Sequence, residues 1–271
     1  MNESKFAIFD AAQSKFDVRD NGQFELDASA LIHFIRENVV YDTGRIFMSF
    51  CRRFPQAIDI GFGNKRALFI EGTREDRCIM VAHADTAWSF GSMSYIPFDA
   101  LAYTAIEFHK DKIRSRSSRF GIGADDRAGI AMIWQLASLG HSILITDGEE
   151  AGGLGARYVA ERWPEWNAIQ DRHSFCIEFD RMGVADFKTY EVGTPEFDSY
   201  VSKAIGRPMA PPKSFSDISF LCTRIPGANI GVGYYNEHTP DEYINVSEWC
   251  ATLDTARNWL TQPLSSFKLG V

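Results

Sequence analysis

The sequence has little cysteine, and its cysteines are not spaced as in disulfide-rich or thiolate-binding proteins. Five cysteines, an odd number, are spread over 271 residues, and no two of them form a C-x-x-C pair. This count and spacing argue against a disulfide framework and against a zinc site built from thiolates. We expect reduced thiols packed inside the protein at Cys51, Cys78, Cys176, Cys222 and Cys250.

An excess of positive charge and a long apolar segment are also missing. Lys and Arg total 28 against 36 Asp and Glu, which gives a formal net charge of -8. This balance argues against a nucleic-acid backbone or an anionic membrane as the main partner. The longest uncharged stretch, residues 128–146, is interrupted by Gln135, Gly140 and His141, so it predicts a buried helix, a turn and a strand rather than a membrane span.

The first ten residues lack the apolar core of a signal peptide. They carry Glu3, Lys5 and Asp10, and from this we expect a cytoplasmic protein. The hydrophobic content of 45% and the charged content of 24% are typical of a folded protein with a substantial core. Because no repeat, linker or low-complexity segment divides the chain, we expect one domain over residues 1–271.

Short apolar runs alternate with helical patterns along the chain. The runs are continuous in Val, Ile, Leu and Phe, as in strands that are covered on both faces. The alternation predicts an α/β fold, specifically a three-layer α/β/α sandwich with a central mixed, mainly parallel sheet. The expected strands are residues 57–63, 66–72, 77–83, 142–146, 174–179, 188–192 and 228–234, with a strand pair within 105–117. The expected helices are residues 26–38, with Asp27 as a possible cap, 45–54, 126–140, 153–163, 194–206 and 246–260.

Acidic and imidazole side chains follow directly on several of the expected strands. In open α/β sheets, reacting groups gather at the carboxyl ends of the strands, so we expect these side chains to converge. They are His83 and Asp85, Glu149 and Glu150, Asp180, and His238. Each segment also has a simpler interpretation, such as a buried histidine satisfied by a carboxylate or an acidic turn that caps the next helix. Asp125 and Asp126 open a helix, and one of them is a candidate for its N-cap.

This mixture of side chains predicts a metal site. Two histidines and four or five carboxylates suit a hard or borderline divalent cation such as zinc, manganese or cobalt. The set is larger than one ion needs, whereas two ions bridged by a shared carboxylate would use all of it. A pair of ions also explains the adjacent Glu149 and Glu150, since one carboxylate can bind metal while the other acts as a base.

Four segments in this order resemble the di-zinc exopeptidase superfamily of aminopeptidases, tripeptidases, carboxypeptidases and deacylases. They are VAHADTA (81–87), GIGADDRAG (121–129), ITDGEEAGGLGA (145–156) and NEHTPDEYINV (236–246). The resemblance covers residues 77–246 and implies the phosphorylase/hydrolase-like fold of zinc exopeptidases. It also implies two divalent metal ions, with zinc as the first expectation and cobalt or manganese as alternatives.

The resemblance assigns a role to each of these residues. Asp125 would bridge the two ions, His83 and Asp180 would complete one site, and Glu150 and His238 would complete the other. Glu149 would be the general base, Asp85 would orient His83, and the peptide bond between Asp125 and Asp126 would be cis. The segment IEFDRMG departs from the commoner Asp-Gly pattern of the family, so Glu178 remains a rival to Asp180.

Further residues are candidates for contacts with the substrate. Tyr234 or Tyr235 could place a phenol beside the developing oxyanion, and Asp217 either lines the pocket or caps the helical turn after it. Glu178 and Asp217 are both candidates for holding a substrate α-amine. Arg181 or the cations of residues 114–119 could instead hold a substrate carboxylate.

The spacing of the implied ligands favours a lid-less, aminopeptidase-like enzyme that hydrolyses a peptide or amide bond in a small peptide. The interval from Asp180 to His238 must already hold two strands and a helix, and an inserted lid or dimerisation domain needs at least about 50 residues more. A deacylase or amidohydrolase acting on a small N-acyl amino compound is the alternative. A non-catalytic binding module predicts missing ligands, whereas all are present here. The sequence does not predict the oligomeric state.

Overall fold

The computed structural model describes residues 28–37, 42–88, 106–211 and 213–270. Its α-helices are α1 (Ser29–Glu37), α2 (Gly44–Arg53), α3 (Ala124–Leu136), α4 (Leu154–Arg162), α5 (Trp166–Asp171), α6 (Pro195–Ile205), α7 (Ile218–Leu221) and α8 (Val246–Thr261). Its strands are β1 (Ile58–Ile60), β2 (Ala67–Ile70), β3 (Ile79–His83), β4 (Ile106–His109), β5 (Lys112–Ser115), β6 (Ser142–Thr146), β7 (Cys176–Arg181), β8 (Phe187–Lys188), β9 (Gly227–Gly231), β10 (Tyr234–Tyr235) and β11 (Tyr243–Asn245). The possible helix cap at Asp27 lies outside the described residues.

The central sheet has seven strands in the order β1-β2-β6-β3-β7-β9-β8. The four inner strands β6, β3, β7 and β9 are parallel to one another, whereas β1, β2 and β8 pair in antiparallel fashion. Helices cover both faces, so the predicted α/β/α sandwich with a mixed sheet is confirmed. A second sheet, β10-β11-β5-β4, is antiparallel and contains the strand pair expected within residues 105–117.

Two apolar layers on opposite faces of the central sheet hold the helices. Adjacent residues of β3 point to opposite faces, so Met80 belongs to the layer with α1, α3 and α8, while Val81 belongs to the layer with α4, α5 and α7. The five cysteines are free thiols, as the sequence predicts, and all are buried except Cys51, which is half-buried. No helix among the described residues has the length and apolar character that crossing a membrane requires.

Three strand predictions are wrong in their extent. The strand expected over residues 57–63 ends at Ile60, before a turn at Gly61 with a φ angle of 74°. The strand expected over residues 188–192 ends at Lys188, because Tyr190 and Glu191 adopt positive φ angles of 46° and 68° and turn the chain. The strand expected over 228–234 is divided: β9 stops at Gly231, and Gly233, with a φ angle of 88°, redirects the chain into the smaller sheet. This division carries the chain from the central sheet toward His238.

Two buried histidines lie near the start of β6, at the amino end of the sheet. His141 Nδ1 accepts the backbone N–H of Cys78 at 3.2 Å, so its Nε2 donates to the Leu260 carbonyl at 2.8 Å. His173 Nδ1 donates to the Ile169 carbonyl at 2.6 Å, and its Nε2 accepts from the Ser142 hydroxyl at 2.7 Å. Both rings are therefore neutral, and burial lowers the pKa of His173 to about 4.

This arrangement predicts a loss of stability in mild acid. Because the folded pKa of His173 lies below its ordinary value, the unfolded chain takes up the proton more readily between about pH 6.5 and 4. The free energy of unfolding should therefore fall by about 3 kcal/mol from this group as the pH drops through that window. Chemical denaturation from pH 4 to 7 should show that the free energy of unfolding of His173→Gln depends less on pH than that of the parent. The exposed His109→Gln variant is the control and should retain the parent slope.

Candidate metal centre

The predicted site residues lie at one edge of the central sheet, where the parallel strands end. His83 is the last residue of β3, and Glu149 and Glu150 lie in the turn after β6. Asp180 lies near the end of β7, the other neighbour of β3. Since β6, β3 and β7 are adjacent and parallel, their carboxyl ends bring these side chains together.

Asp125 lies at the centre of the cluster and is buried. Its Oδ1 atom is 3.0 Å from His83 Nε2, and its Oδ2 atom is 3.1 Å from His238 Nε2. Asp180 Oδ1 is 3.4 Å from the same nitrogen of His83, and Glu150 Oε2 is 3.0 Å from that of His238. The cluster thus consists of two histidine–carboxylate groups that share one aspartate, each oxygen of which faces a different imidazole.

The neighbouring Asp126 is also buried within reach of His83 and Asp180, but its oxygens are already engaged. Oδ2 accepts the backbone N–H of His83 at 3.1 Å, and Oδ1 accepts that of Gly129 at 2.9 Å. Asp126 therefore anchors the start of α3, whereas Asp125 faces the histidines. The peptide bond between Asp125 and Asp126 is cis, as the resemblance implies.

Asp85 fixes the orientation of His83 and of the turn after β6. Its Oδ1 atom is 3.3 Å from His83 Nδ1, which also lies 3.0 Å from the Asp85 carbonyl oxygen. The two carboxylate oxygens of Asp85 accept the backbone N–H groups of Glu149 and Glu150, both at 3.1 Å. With Nδ1 as the donor, Nε2 of His83 is the nitrogen available to a metal ion.

The cluster is rich in buried carboxyl groups. Burial raises the pKa of Glu149 to about 9 and that of Asp180 to about 6. Hydrogen bonds to Asp125 and Glu150 raise the pKa of His238 to about 11. Glu150 Oε1 is buried without a hydrogen-bond partner among the described residues. Once ionised, the three carboxylates at the histidines, Asp125, Asp180 and Glu150, and the adjacent Glu149 carry four negative charges, which two divalent cations would balance. The two histidines and three carboxylates therefore fit such a pair.

Glu178, the rival of Asp180, occupies a different position. It is 1% exposed, and neither of its carboxylate oxygens has a hydrogen-bond partner among the described residues. Burial raises its pKa well above the usual range. Asp180, in contrast, approaches His83 and accepts hydrogen bonds from Ser216 Oγ at 3.0 Å and from Tyr234 Oη at 3.2 Å.

The structure separates the two tyrosine candidates. Tyr234 is buried and donates its hydroxyl proton to the candidate ligand Asp180. Tyr235 donates its hydroxyl proton to Glu248 of α8 at 2.6 Å rather than to a residue of the cluster. Neighbouring residues of a strand point to opposite faces, which accounts for the difference.

Two other substrate candidates also have protein partners. Asp217 occupies the N-cap position of α7, but its side chain makes no capping hydrogen bond, and its Oδ2 accepts from the Thr146 hydroxyl at the end of β6. Asp217 Oδ1 is buried without a partner among the described residues. Arg181 Nε donates to Asp186 at 2.6 Å, so its guanidinium is already paired beside the site.

Sequence reasoning missed Glu242, a buried carboxylate beside the cluster. Its oxygens accept the backbone N–H groups of Gly123 at 2.7 Å and Asp125 at 3.1 Å. Burial raises its pKa to about 8. The sequence offers one signal for this residue: Glu242 lies four positions after His238, in the same turn-forming segment.

Comparisons with solved structures show a shared fold at low sequence identity. An aminopeptidase from Bacillus cereus matches 86% of this chain and 97% of its own, with 14% identity and a TM-score of 0.59. A tripeptidase from Staphylococcus aureus matches 86% of this chain and 98% of its own, with 13% identity and a TM-score of 0.57. The TET1 peptidase of Pyrococcus horikoshii matches 84% of this chain and 97% of its own, with 12% identity and a TM-score of 0.58.

No family model matches the sequence, and no curated protein matches it. The chain therefore shares the fold of these three proteins.

Proposed function

We propose that this protein is a metal-dependent aminopeptidase that cleaves small peptides at a centre of two divalent cations, with zinc as the first candidate. The observation that carries the proposal is Asp125, whose two oxygens face His83 and His238 at 3.0 and 3.1 Å. His83, Asp180 and Asp125 would hold one ion, and Asp125, Glu150 and His238 the other. The chain acts here as a single catalytic domain without a lid.

Each residue of the cluster has a distinct task in the proposed reaction. When bound, the two cations would lower the pKa of a water molecule and polarise the scissile carbonyl. Glu149 accepts the proton of the attacking water and then donates it to the leaving amine. Asp85 keeps His83 in the orientation that turns Nε2 toward Asp125. The Tyr234 hydroxyl donates its proton to Asp180 and so holds the carboxylate of that candidate ligand.

An aminopeptidase also needs an acidic group near the free α-amine of its substrate. Glu178 and Asp217 are the candidates, since both are buried and have carboxylate oxygens without a partner among the described residues. An ammonium group would satisfy such an oxygen with a charge-assisted hydrogen bond. An N-acylated substrate has no charged amine to offer, so these carboxylates favour peptides with a free amino terminus.

Substrate profiling tests this preference. The zinc-loaded protein should hydrolyse peptides with a free amino terminus roughly 10- to 100-fold faster, in kcat/KM, than the same peptides acetylated at that end. Asp217→Asn should reduce kcat/KM for peptides with a free amino terminus and bring it closer to the value for the acetylated peptides. Faster hydrolysis of the acetylated series would instead favour a deacylase. A protein that binds both ions but cleaves neither series would support a binding module.

A further inference from the structure

Glu242 joins the two chain segments that carry Asp125 and His238. Its side chain is 1% exposed, and its Oε1 atom accepts the backbone N–H of Asp125 at 3.1 Å. Oε2 accepts the N–H of Gly123 at 2.7 Å. The carboxylate therefore binds the main chain of the candidate bridging ligand itself.

The same residue closes the turn that carries His238. The Glu242 backbone N–H donates to the Thr239 carbonyl at 3.1 Å, and the Thr239 hydroxyl donates to the Asn236 carbonyl at 2.7 Å. Within this turn His238 has a φ angle of 62°, in the left-handed region. One side chain thus links the turn of His238 to the loop of Asp125, and the two ligands meet at 3.1 Å.

The loop before α3 is shaped to receive this carboxylate. A Cβ atom at Gly121 would lie 2.3 Å from Glu242 Oε2 and 2.8 Å from the Thr239 carbonyl oxygen, so only glycine allows this close approach. The first N–H groups of a helix need an acceptor, and an acceptor from any part of the protein can meet that need. Here the acceptor comes from the segment of the opposing histidine, which makes the distance between the two ligands depend on it.

We propose that Glu242 is a positioning residue, which holds Asp125 and His238 at the separation required by the cation that they share with Glu150. The inference rests on the proposed metal centre. The other group, with His83 and Asp180, is oriented separately by Asp85. Because Asp125 belongs to both groups, loss of Glu242 should weaken both ions, but the ion at His238 should weaken more, since two of its ligands lose their position.

Calorimetric zinc titration of the metal-free full chain tests this inference. Glu242→Gln keeps the shape of the side chain, but its amide nitrogen cannot accept an N–H. We expect one of the two zinc ions to bind 10- to 100-fold more weakly, the usual effect of losing an outer-shell partner, and the other, which uses Asp125 but not His238, to weaken by a smaller factor. If the Gln variant does not fold, Glu242→Asp replaces it. This variant keeps the charge but is one methylene shorter, and we expect the same unequal weakening of the two zinc ions.

Asp76→Asn is the matched control. Asp76 Oδ2 accepts the backbone N–H of Leu264 at 2.8 Å, at the end of β3 opposite to His83. This variant should lower the thermal stability of the metal-free protein and leave both zinc affinities unchanged. Parent-like binding of both ions by the Glu242 variants, or equal weakening by Asp76→Asn, would overturn the inference.

The same titration separates this inference from the proposed function. A parent protein that binds two ions, loses one on substitution of Glu242 and hydrolyses no peptide would contradict the proposed activity alone. Two ions with hydrolysis, but without an effect of Glu242, would contradict the inference alone. A parent protein that binds no ion would overturn both.

Discussion

Asp125→Asn is expected to abolish hydrolysis by removing both metal ions. Each carboxylate oxygen of Asp125 faces a different imidazole, at 3.0 and 3.1 Å. Asparagine would present its NH₂ group to one of them, and an N–H donor cannot bind a cation. Because the carboxylate is shared, one substitution weakens both sites. The zinc affinity of each should fall by more than about 100-fold, beyond the effect of an outer-shell change.

Metal analysis after dialysis, together with a peptidase assay, measures this effect. The parent should retain two ions per chain and the variant fewer than one. Asp254→Asn, which changes an exposed aspartate paired with Arg257 on α8, makes the same chemical change away from the centre and should retain both ions. If Asp125→Asn retained two ions, the bridging role of Asp125 would be wrong.

Glu149→Gln is expected to stop catalysis while the protein still binds both ions. Glu149 belongs to the turn whose backbone Asp85 holds, and none of the short histidine contacts of the cluster involves its carboxylate. In the metal-free protein, burial raises its pKa to about 9, whereas bound cations would favour the ionised form that accepts a proton. Loss of a general base typically costs about 10²- to 10⁴-fold in kcat.

Two further Glu→Gln variants show whether Glu149 acts as a base or as a metal ligand. Glu150→Gln should lose metal as well as activity, because Glu150 Oε2 faces His238 at 3.0 Å. Glu161→Gln, at an exposed position on α4, should behave like the parent. A Glu149→Gln variant whose kcat stays within about tenfold of the parent would contradict the role of this residue as the base.

Much of this arrangement follows from local sequence patterns. The continuous apolar runs predict the inner strands, and the ends of parallel strands explain why His83, Glu150 and Asp180 converge. The order of these segments along the chain carries the family resemblance, and the resemblance implies a role for each residue. These features are predictable because they depend on strand direction and on residues within one segment.

Other features depend on contacts between distant segments. Whether Tyr234 or Tyr235 faces Asp180 depends on which side of the short strand β10 packs inward, and a two-residue strand has no pattern that decides this. The turn at Tyr190 requires positive φ angles that bulky residues adopt only in a tertiary setting. Glu242 reaches Asp125 across 117 positions of the sequence, so no local pattern reveals the contact.

The most direct test of the central claim is a crystal structure of the zinc-loaded protein, with anomalous diffraction recorded at the zinc absorption edge. The proposal predicts two peaks, one on each side of the Asp125 carboxylate, with His83 and Asp180 at one and Glu150 and His238 at the other. Their separation should be about 3.5 to 4 Å, as in other two-metal hydrolytic sites. A single peak, or zinc bound away from Asp125, would contradict the proposal.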